Sequence, residues 1–256
     1  NRVVCVFIYF FKYIKNILLY IILIMLFISP PFGTYIKLPN TIPIRGSFTL
    51  NYRPGKWSQI FKTLRYKNDL GWVNKIGLRN PGIDYAIKTY KKGEIISIAI
   101  MEKKEIKTIL NKIPEYMDIE LNVSCPNTDK HMISNGLKNF LNPKRDWCIV
   151  KLPPEPSEKM IDTYYQEGFR QFHASNTLPT LHGGLSGKKL IPYTEKTISY
   201  IKNKYKDCIV IAGGGIYDFK TLKNYEKIGA DHFSLSTIFF SPFKTSLFFY
   251  NFYFTK

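Results

Sequence analysis

The sequence predicts an α/β protein that folds as a single (β/α)8 barrel, the TIM-barrel architecture. Short apolar, β-branched runs alternate with longer amphipathic stretches, and eight such runs occur between residue 24 and residue 236. Polar or glycine-rich clusters follow one run after another, as expected where the strands of a barrel end at its active face. We therefore predict one domain over residues 23–256, preceded by an apolar extension over residues 1–22.

The apolar runs have the length and near-continuous hydrophobicity of parallel strands that are covered on both faces. The predicted strands are 24–29, 42–49, 95–101, 117–122, 147–152, 170–175, 208–212 and 232–236. The amphipathic stretches between them are predicted helices, over 57–66, 102–113, 157–167, 193–206 and 217–228. The connection from the first strand to the second is too short for a full helix, so the first β–α unit is predicted to be truncated.

The first 28 residues are strongly apolar but are interrupted by Lys12 and Lys15. Their longest uninterrupted apolar run, residues 17–28, has 12 residues, fewer than the roughly 20 that a membrane-spanning helix needs. The segment that follows does not resemble a signal-peptide cleavage site. Two interpretations stay open: a first buried strand preceded by an extension, or a membrane-associating helix.

The chain carries a formal net charge of +18, which favours an anionic partner such as nucleic acid, acidic lipid or a phosphorylated or carboxylated small molecule. The lysines are scattered, so a solvated basic surface is the competing interpretation. The four cysteines form no C-x-x-C pair, and the four histidines lack zinc-site spacing. We therefore predict no metal site and no disulfide framework, which fits a reducing, cytoplasmic setting.

Two adjacent predicted strands end in segments that are typical of a phosphate site. Strand seven runs into Gly213, Gly214 and Gly215 before a helix, and Ser236 and Thr237 end strand eight. Glycine lets backbone N–H groups approach a phosphate, and barrels often bind phosphate after strands seven and eight. A flexible strand–helix turn is the alternative. The glycine-rich segment 182–187, with Ser186, either serves the same phosphate or closes over the ligand.

Lys151 ends the fifth strand, where an ammonium group is able to stabilise negative charge on a ligand; a surface lysine at a strand end is the alternative interpretation. The segment 122–127, Asn-Val-Ser-Cys-Pro-Asn, leaves the fourth strand. Its asparagines offer donors and acceptors, and Cys125 is a candidate general base if its pKa is lowered. From spacing alone, an active loop and an ordinary turn are both compatible. A second Asn/Gly segment covers residues 74–80.

Five motifs taken in order resemble the dihydroorotate dehydrogenases over roughly residues 42–240. They are residues 74–80, 122–128, 175–177, 183–187 and 214–215. The resemblance implies an oxidoreductase of pyrimidine biosynthesis that acts on a CH–CH group, with FMN as cofactor and dihydroorotate as substrate. It also implies that Cys125 takes the C5 proton while the C6 hydride passes to N5 of FMN.

The resemblance implies a role for each residue that matches a family motif. The implied substrate-binding residues are Asn74, Gly77, Leu78, Asn122, Asn127 and Asn176. The implied FMN-binding residues are Gly46, Ser47, Lys151, Thr177, Ser186, Gly187, Gly214, Gly215, Ser236 and Thr237. A cysteine base resembles the soluble class of the family. The implied partner is a small molecule and not nucleic acid, with a homodimer left open and membrane contact only through residues 1–28.

Two alternatives stay open. An FMN-dependent tRNA dihydrouridine synthase is also a barrel with an Asn-x-x-Cys-Pro loop, and the basic net charge favours it. A catalytically impaired FMN-binding relic is the other, because Lys37 does not fall where the family has its flavin-contacting lysine and Ala99 replaces an asparagine. The electron acceptor also stays open among fumarate, quinone and NAD through a partner.

Overall fold

The structure is a computed structural model that describes residues 24–123 and 136–254. The strands of these residues, in chain order, are β1 (Leu26–Ile28), β2 (Thr41–Phe48), β3 (Arg65–Lys67), β4 (Gly71–Asn74), β5 (Ile95–Ala99), β6 (Ile119–Asn122), β7 (Cys148–Lys151), β8 (Gln171–Ala174), β9 (Leu178–Thr180), β10 (Gly183–Ser186), β11 (Ile209–Gly213) and β12 (His232–Leu235). The α-helices are α1 (Lys56–Thr63), α2 (Ile83–Lys88), α3 (Glu105–Lys112), α4 (Glu158–Gln166), α5 (Ile191–Lys204), α6 (Phe219–Lys227) and α7 (Pro242–Phe254).

Eight parallel strands close into a barrel in the order β1, β2, β5, β6, β7, β8, β11, β12, with β12 pairing back to β1. Each barrel strand lies inside, or within one residue of, a run predicted as a strand. The predicted (β/α)8 fold is therefore confirmed. The apolar runs identify the strands because both of their faces are buried, against helices outside and other strands inside.

The interior of the barrel changes character along its axis. One buried apolar cluster contains Phe27, Ile44, Ile95, Ile149 and Ile211, one residue from each of five barrel strands. Nearer the carboxyl ends of the strands, buried polar residues replace the apolar ones. They are Ser97, Glu120, Lys151, His173 and Ser234. The buried polar groups of the barrel interior therefore lie toward its carboxyl-terminal end, the end at which barrels of this type carry their active sites.

A second, four-stranded sheet was not predicted. Its order is β3, β4, β10, β9, and the pairings of β4 with β3 and β10 and of β10 with β9 are antiparallel. The predicted loops at 74–80 and 183–187 are thus partly strands, and the predicted helix over 57–66 ends at Thr63 because Arg65–Lys67 pair with β4. Asn74 and Gly184 pair across 110 residues of sequence. Short glycine-rich strands with distant partners carry no local periodic signal.

The helices α2 and α7 were not predicted either. Helix α2 has only six residues, which is shorter than the stretch over which a helical period is recognisable. Helix α7 has aromatic side chains on all its faces, so its sequence lacks an amphipathic pattern. Phe248 and Phe252 of α7 are nevertheless buried, and the Tyr253 hydroxyl donates to the Pro39 carbonyl at 3.2 Å.

The first β–α unit is truncated, as predicted: a short 3-10 turn, Phe32–Thr34, stands between β1 and β2 in place of a helix. The turn packs directly on the backbone of both strands. A Cβ atom on Gly33 would lie 2.2 Å from the carbonyl oxygens of Ile28 and Ile44, so a larger residue does not fit there. Within the described residues, no helix is long and apolar enough to cross a membrane.

Lys37, in the same connection, belongs to an ion cluster outside the barrel. Its ammonium bonds to one carboxylate oxygen of Glu94, and Arg45 donates to the other at 2.8 Å. Arg45 also bonds to Thr89. Burial by itself would raise the pKa of Glu94, but the hydrogen bonds and charges of Lys37 and Arg45 outweigh it and lower the pKa below 4.5. The Lys37 ammonium is therefore part of an ion cluster that stabilises the fold.

Replacing Glu94 by glutamine is expected to lower the free energy of unfolding by about 3 kcal/mol at pH 7, because Arg45 would stay buried without its counter-charge. Since the folded pKa of Glu94 is lowered, the ion cluster stabilises the protein above pH 4.5 and loses that effect as the pH falls through the folded pKa. The difference between the two proteins should therefore shrink between pH 7 and pH 3.5 in urea unfolding.

The matched control is Glu102→Gln, which removes an ion pair with Lys104 on the surface. Both side chains are largely exposed, at 58% for Glu102 and 81% for Lys104. Exposed pairs contribute little to stability. A destabilisation of the same size in both variants would contradict the role assigned to the Glu94 cluster.

Candidate active site

The polar side chains at the carboxyl ends of three strands form a connected chain. The Asn122 amide, at the end of β6, donates to the Ser47 hydroxyl of β2 at 3.0 Å. The Asn176 amide, which follows β8, donates to the Asn122 side-chain oxygen at 3.0 Å. The Thr177 N–H in turn donates to the Asn176 side-chain oxygen at 2.9 Å. The structure therefore brings these four predicted residues together from separate parts of the sequence.

Below this chain of amides lies a buried group that we call the Glu120 cluster: Ser97, Glu120, Lys151 and His173. The Ser97 hydroxyl donates to Oε1 of Glu120 at 2.8 Å, and Nζ of Lys151 lies 3.6 Å from the same oxygen. Nδ1 of His173 lies 2.6 Å from Oε2. Ser47 joins the two layers, since its hydroxyl lies 2.8 Å from that of Ser97.

Charge in the Glu120 cluster is balanced within the cluster. Burial would raise the pKa of Glu120, but the Lys151 charge and the interactions with His173 and Ser97 outweigh it and lower that pKa to about 2. Burial, and next the nearby Lys151, lower the pKa of His173 against the opposing effect of Glu120. At neutral pH, Glu120 is therefore ionised and His173 is a neutral ring that donates its Nδ1–H to Glu120.

Three members of the cluster, Ser97, Glu120 and His173, were not among the predicted site residues. Each of them stands alone inside an apolar run, and polar or charged side chains are rarely fully buried in such runs unless they have a partner. A lone polar residue inside a predicted buried strand was therefore the sequence feature that pointed to them. Ala99, two residues beyond Ser97 on the same face of β5, adds no polar group to the site.

The glycine segment and the Ser236–Thr237 segment lie side by side, because they follow the adjacent parallel strands β11 and β12. Gly214 and Gly215 have φ angles of +91° and +86°, which favour glycine. The side chain of Asp218 caps α6 by accepting from the Thr221 N–H at 2.8 Å. These segments are placed where a barrel of this kind binds phosphate.

The four-stranded sheet is held against the same end of the barrel. Asn74 ends β4, and Gly77 and Leu78 follow it with left-handed φ angles of +67° and +54°. A Cβ atom on Gly184 would lie 2.6 Å from the Thr177 hydroxyl, so the sheet and the site are in close contact. The Ser186 hydroxyl donates to the Trp72 carbonyl at 3.3 Å, and Gly187 follows at the end of β10.

A cavity of about 470 Å³ lies beside Gly46, a residue of the predicted FMN set. Its volume falls in the range of small-molecule pockets. Arg53 and Lys56 line it together with several aromatic rings, so it presents positive charge and flat apolar surfaces. Two predicted site residues, Cys125 and Asn127, and the predicted extension over residues 1–22 lie outside the described residues.

The fold and the site define the class of protein: an enzyme of the (β/α)8-barrel type whose polar groups converge at the carboxyl ends of the strands. The family model for dihydroorotate dehydrogenase matches residues 41–242. The chain belongs to the dihydroorotate dehydrogenase family, whose members are flavoenzymes and oxidoreductases that act on CH–CH groups. The predicted family resemblance is thereby confirmed.

Individual relatives agree with the family match. The catalytic subunits of dihydroorotate dehydrogenase B (NAD(+)) from Thermotoga petrophila and Thermotoga maritima are each 27% identical over 241 residues, covering 82% of this chain and 87% of the relative. A putative dihydroorotate dehydrogenase A (fumarate) from Aquifex aeolicus is 25% identical over 209 residues, with coverage of 67% and 68%.

A solved structure supports the fold. The dihydroorotate dehydrogenase of Eimeria tenella, crystallised in complex with ferulenol, superposes with a TM-score of 0.63 over 80% of this chain and 72% of that chain. The two sequences are 16% identical. The architecture is therefore shared even where few residues are.

Proposed function

We propose that this protein oxidises dihydroorotate to orotate with FMN as its cofactor, in pyrimidine biosynthesis. The observation that carries the proposal is the linked set Ser47, Asn122 and Asn176 above the buried Lys151, at the carboxyl end of a barrel of this family. Amide and hydroxyl groups match the imide and amide edges of flavin and pyrimidine rings. The buried ammonium matches a ring that becomes negatively charged.

The residues present fit FMN. Lys151 would supply the cation that offsets negative charge on the flavin ring, and Gly46, Ser47 and Thr177 would border that ring. The turns that contain Gly214, Gly215, Ser236 and Thr237 supply backbone N–H and hydroxyl donors for the phosphate. Ser186 and Gly187 would border the cofactor from the four-stranded sheet. When bound, FMN supplies the hydride acceptor.

Substrate recognition falls to the asparagines and to the turn after β4. Asn74, Asn122, Asn127 and Asn176 hold the pyrimidine ring and its carboxylate, and Gly77 and Leu78 contribute backbone groups. The Cys125 sulfur, as thiolate, would take the proton from C5 while the C6 hydride leaves. The electron pair of the C5–H bond then forms the C5=C6 double bond of orotate, and the hydride from C6 carries the two electrons of the oxidation.

The acceptor of the electrons is a further part of the proposal. The Thermotoga relatives carry the name of a catalytic subunit that serves NAD(+), so we propose that a second subunit passes electrons onward from this chain. We also propose a cytoplasmic location, because the cysteines of the sequence form no C-x-x-C pair, which fits a reducing setting. A homodimer of the barrel is compatible with such an assembly.

The test is an anaerobic flavin titration. The purified protein should be yellow or should become so with added FMN, dihydroorotate should bleach the visible flavin band, and orotate should slow that bleaching. A protein that takes up no FMN would contradict the proposal. Bleaching by dithionite but not by dihydroorotate would identify a catalytically impaired relic, and reoxidation of the reduced protein by tRNA would identify the tRNA-reducing alternative.

A further inference from the structure

His173 has no part in the proposed reaction, yet it is 1% exposed and lies inside the barrel. Strands β6 and β8 are not neighbours, because β7 separates them. The bond from His173 on β8 to Glu120 on β6 therefore crosses the barrel interior. Burying an imidazole and a carboxylate costs folding free energy unless the two groups bond to each other or interact with a third group. The third group here is Lys151.

The geometry of the carboxylate shows how the three groups interact. Oε1 accepts from Ser97 at 2.8 Å and Oε2 faces His173 at 2.6 Å, so each oxygen has a close donor. Nζ of Lys151 stays 3.6 Å from Oε1, which is longer than a hydrogen bond. The ammonium is thus paired in charge with Glu120 but is not held by it as a hydrogen-bond donor.

The backbone next to His173 is adapted to the ring. A Cβ atom on Gly213 would lie 2.4 Å from Nε2 of His173, so β11 leaves space for the imidazole only because it has glycine there. Burial keeps the ring neutral, since it lowers the pKa of His173. The ring therefore supplies a donor to Glu120 without supplying a positive charge of its own.

We propose that Glu120 and His173 are positioning residues that set how strongly the Lys151 ammonium acts on an anionic flavin. His173 and Ser97 occupy the two carboxylate oxygens and keep Glu120 from drawing Lys151 into a hydrogen bond. The negative charge of Glu120 offsets part of the positive charge of Lys151. The hydrogen bond from His173 weakens this offset, because it occupies one carboxylate oxygen. The inference rests on the proposed function, because Lys151 acts on FMN only if FMN binds.

The two residues should have effects of opposite sign. Glu120→Gln removes the counter-charge, so Lys151 acts more strongly on negative charge above it. His173→Leu removes a donor from the carboxylate, which then draws Lys151 toward itself and weakens that action. A merely structural role would weaken binding in both variants. His173→Asn keeps an amide donor near the position of Nδ1 and should behave like the wild type.

Sulfite is the probe, because it adds to N5 of oxidised flavin and leaves negative charge on the N1–C2=O edge. We expect the dissociation constant of the sulfite adduct to fall about tenfold in Glu120→Gln and to rise about tenfold in His173→Leu. This is the change in affinity expected when the interaction with one buried charge several ångströms away is altered. In the double variant Glu120→Gln/His173→Leu, the effect of the leucine should disappear, because it acts through Glu120. Lys151→Met is the reference for complete loss of the charge.

Ser29→Ala is the matched control. Ser29 and Ser234 form a buried hydroxyl pair, 2.5 Å apart, at the same end of the barrel interior. This variant should keep the wild-type sulfite constant. If Glu120→Gln does not fold, the comparison of His173→Leu with His173→Asn decides by itself, and equal sulfite constants in those two variants would contradict the inference.

Failure of the proposed function and failure of this inference give different results. A wild-type protein that takes up no FMN overturns the proposed function, and this inference with it. A wild-type protein that binds FMN and loses sulfite affinity in Lys151→Met, but shows unchanged affinity in Glu120→Gln and His173→Leu, overturns the inference alone. Shifts of the same sign in the two single variants also overturn it.

Discussion

Replacing Cys125 by alanine is expected to leave FMN bound and to slow flavin reduction by dihydroorotate by about 10²–10⁴-fold, the usual contribution of a positioned general base. In the proposed reaction the C6 hydride leaves as the C5 proton is taken, and without the Cys125 sulfur no group is assigned to receive that proton. Stopped-flow mixing under anaerobic conditions measures the rate. Dithionite, which needs no base at C5, should reduce the variant and the wild type equally.

Two other cysteines provide the control. Burial raises the pKa of Cys148 to about 12 and that of Cys208 to about 11, so neither supplies a thiolate near neutral pH. Cys208→Ala should therefore keep the wild-type rate of reduction. Cys125→Ser should retain a reduced rate that increases toward higher pH, because a hydroxyl is a weaker acid than a thiol. A full rate in Cys125→Ala would refute the assignment.

Replacing Lys151 by methionine is expected to weaken FMN binding and to slow reduction by about 10²–10³-fold, as the loss of one preorganised charge-stabilising group does elsewhere. Methionine keeps the unbranched shape of the side chain but removes its charge. Lys151 is 6% exposed, so water cannot replace the missing ammonium. Equilibrium FMN titration and anaerobic stopped-flow reduction together separate the binding effect from the rate effect.

Lys202→Met is the matched control for that variant. Lys202 is also partly buried and ion-paired, to Asp231 at 2.9 Å, but Asp231 precedes β12 and so lies at the opposite end of the barrel. This variant should lose stability and keep the wild-type rate per bound flavin. Wild-type FMN affinity and rate in Lys151→Met would show that the ammonium does not face the flavin.

The sequence by itself determined the barrel and the end of it at which the candidate site lies. Strands buried on both faces appear as continuous apolar runs, which is why each of the eight barrel strands lies inside, or within one residue of, a predicted run. Residues such as Asn122 and Lys151 follow directly from where those runs end. The family motifs then suggested the chemical role that we propose for these residues.

Only the tertiary structure decided which side chains meet. The bond between Glu120 and His173 depends on closure of the barrel, which faces two strands that are not neighbours across a shared interior. The four-stranded sheet depends on pairing across 110 residues, and short glycine-rich strands carry no periodic signal of it. The local pattern of apolar residues encodes which residues of each strand are buried. Contacts between strands that are distant in sequence arise from the closed geometry of the whole chain.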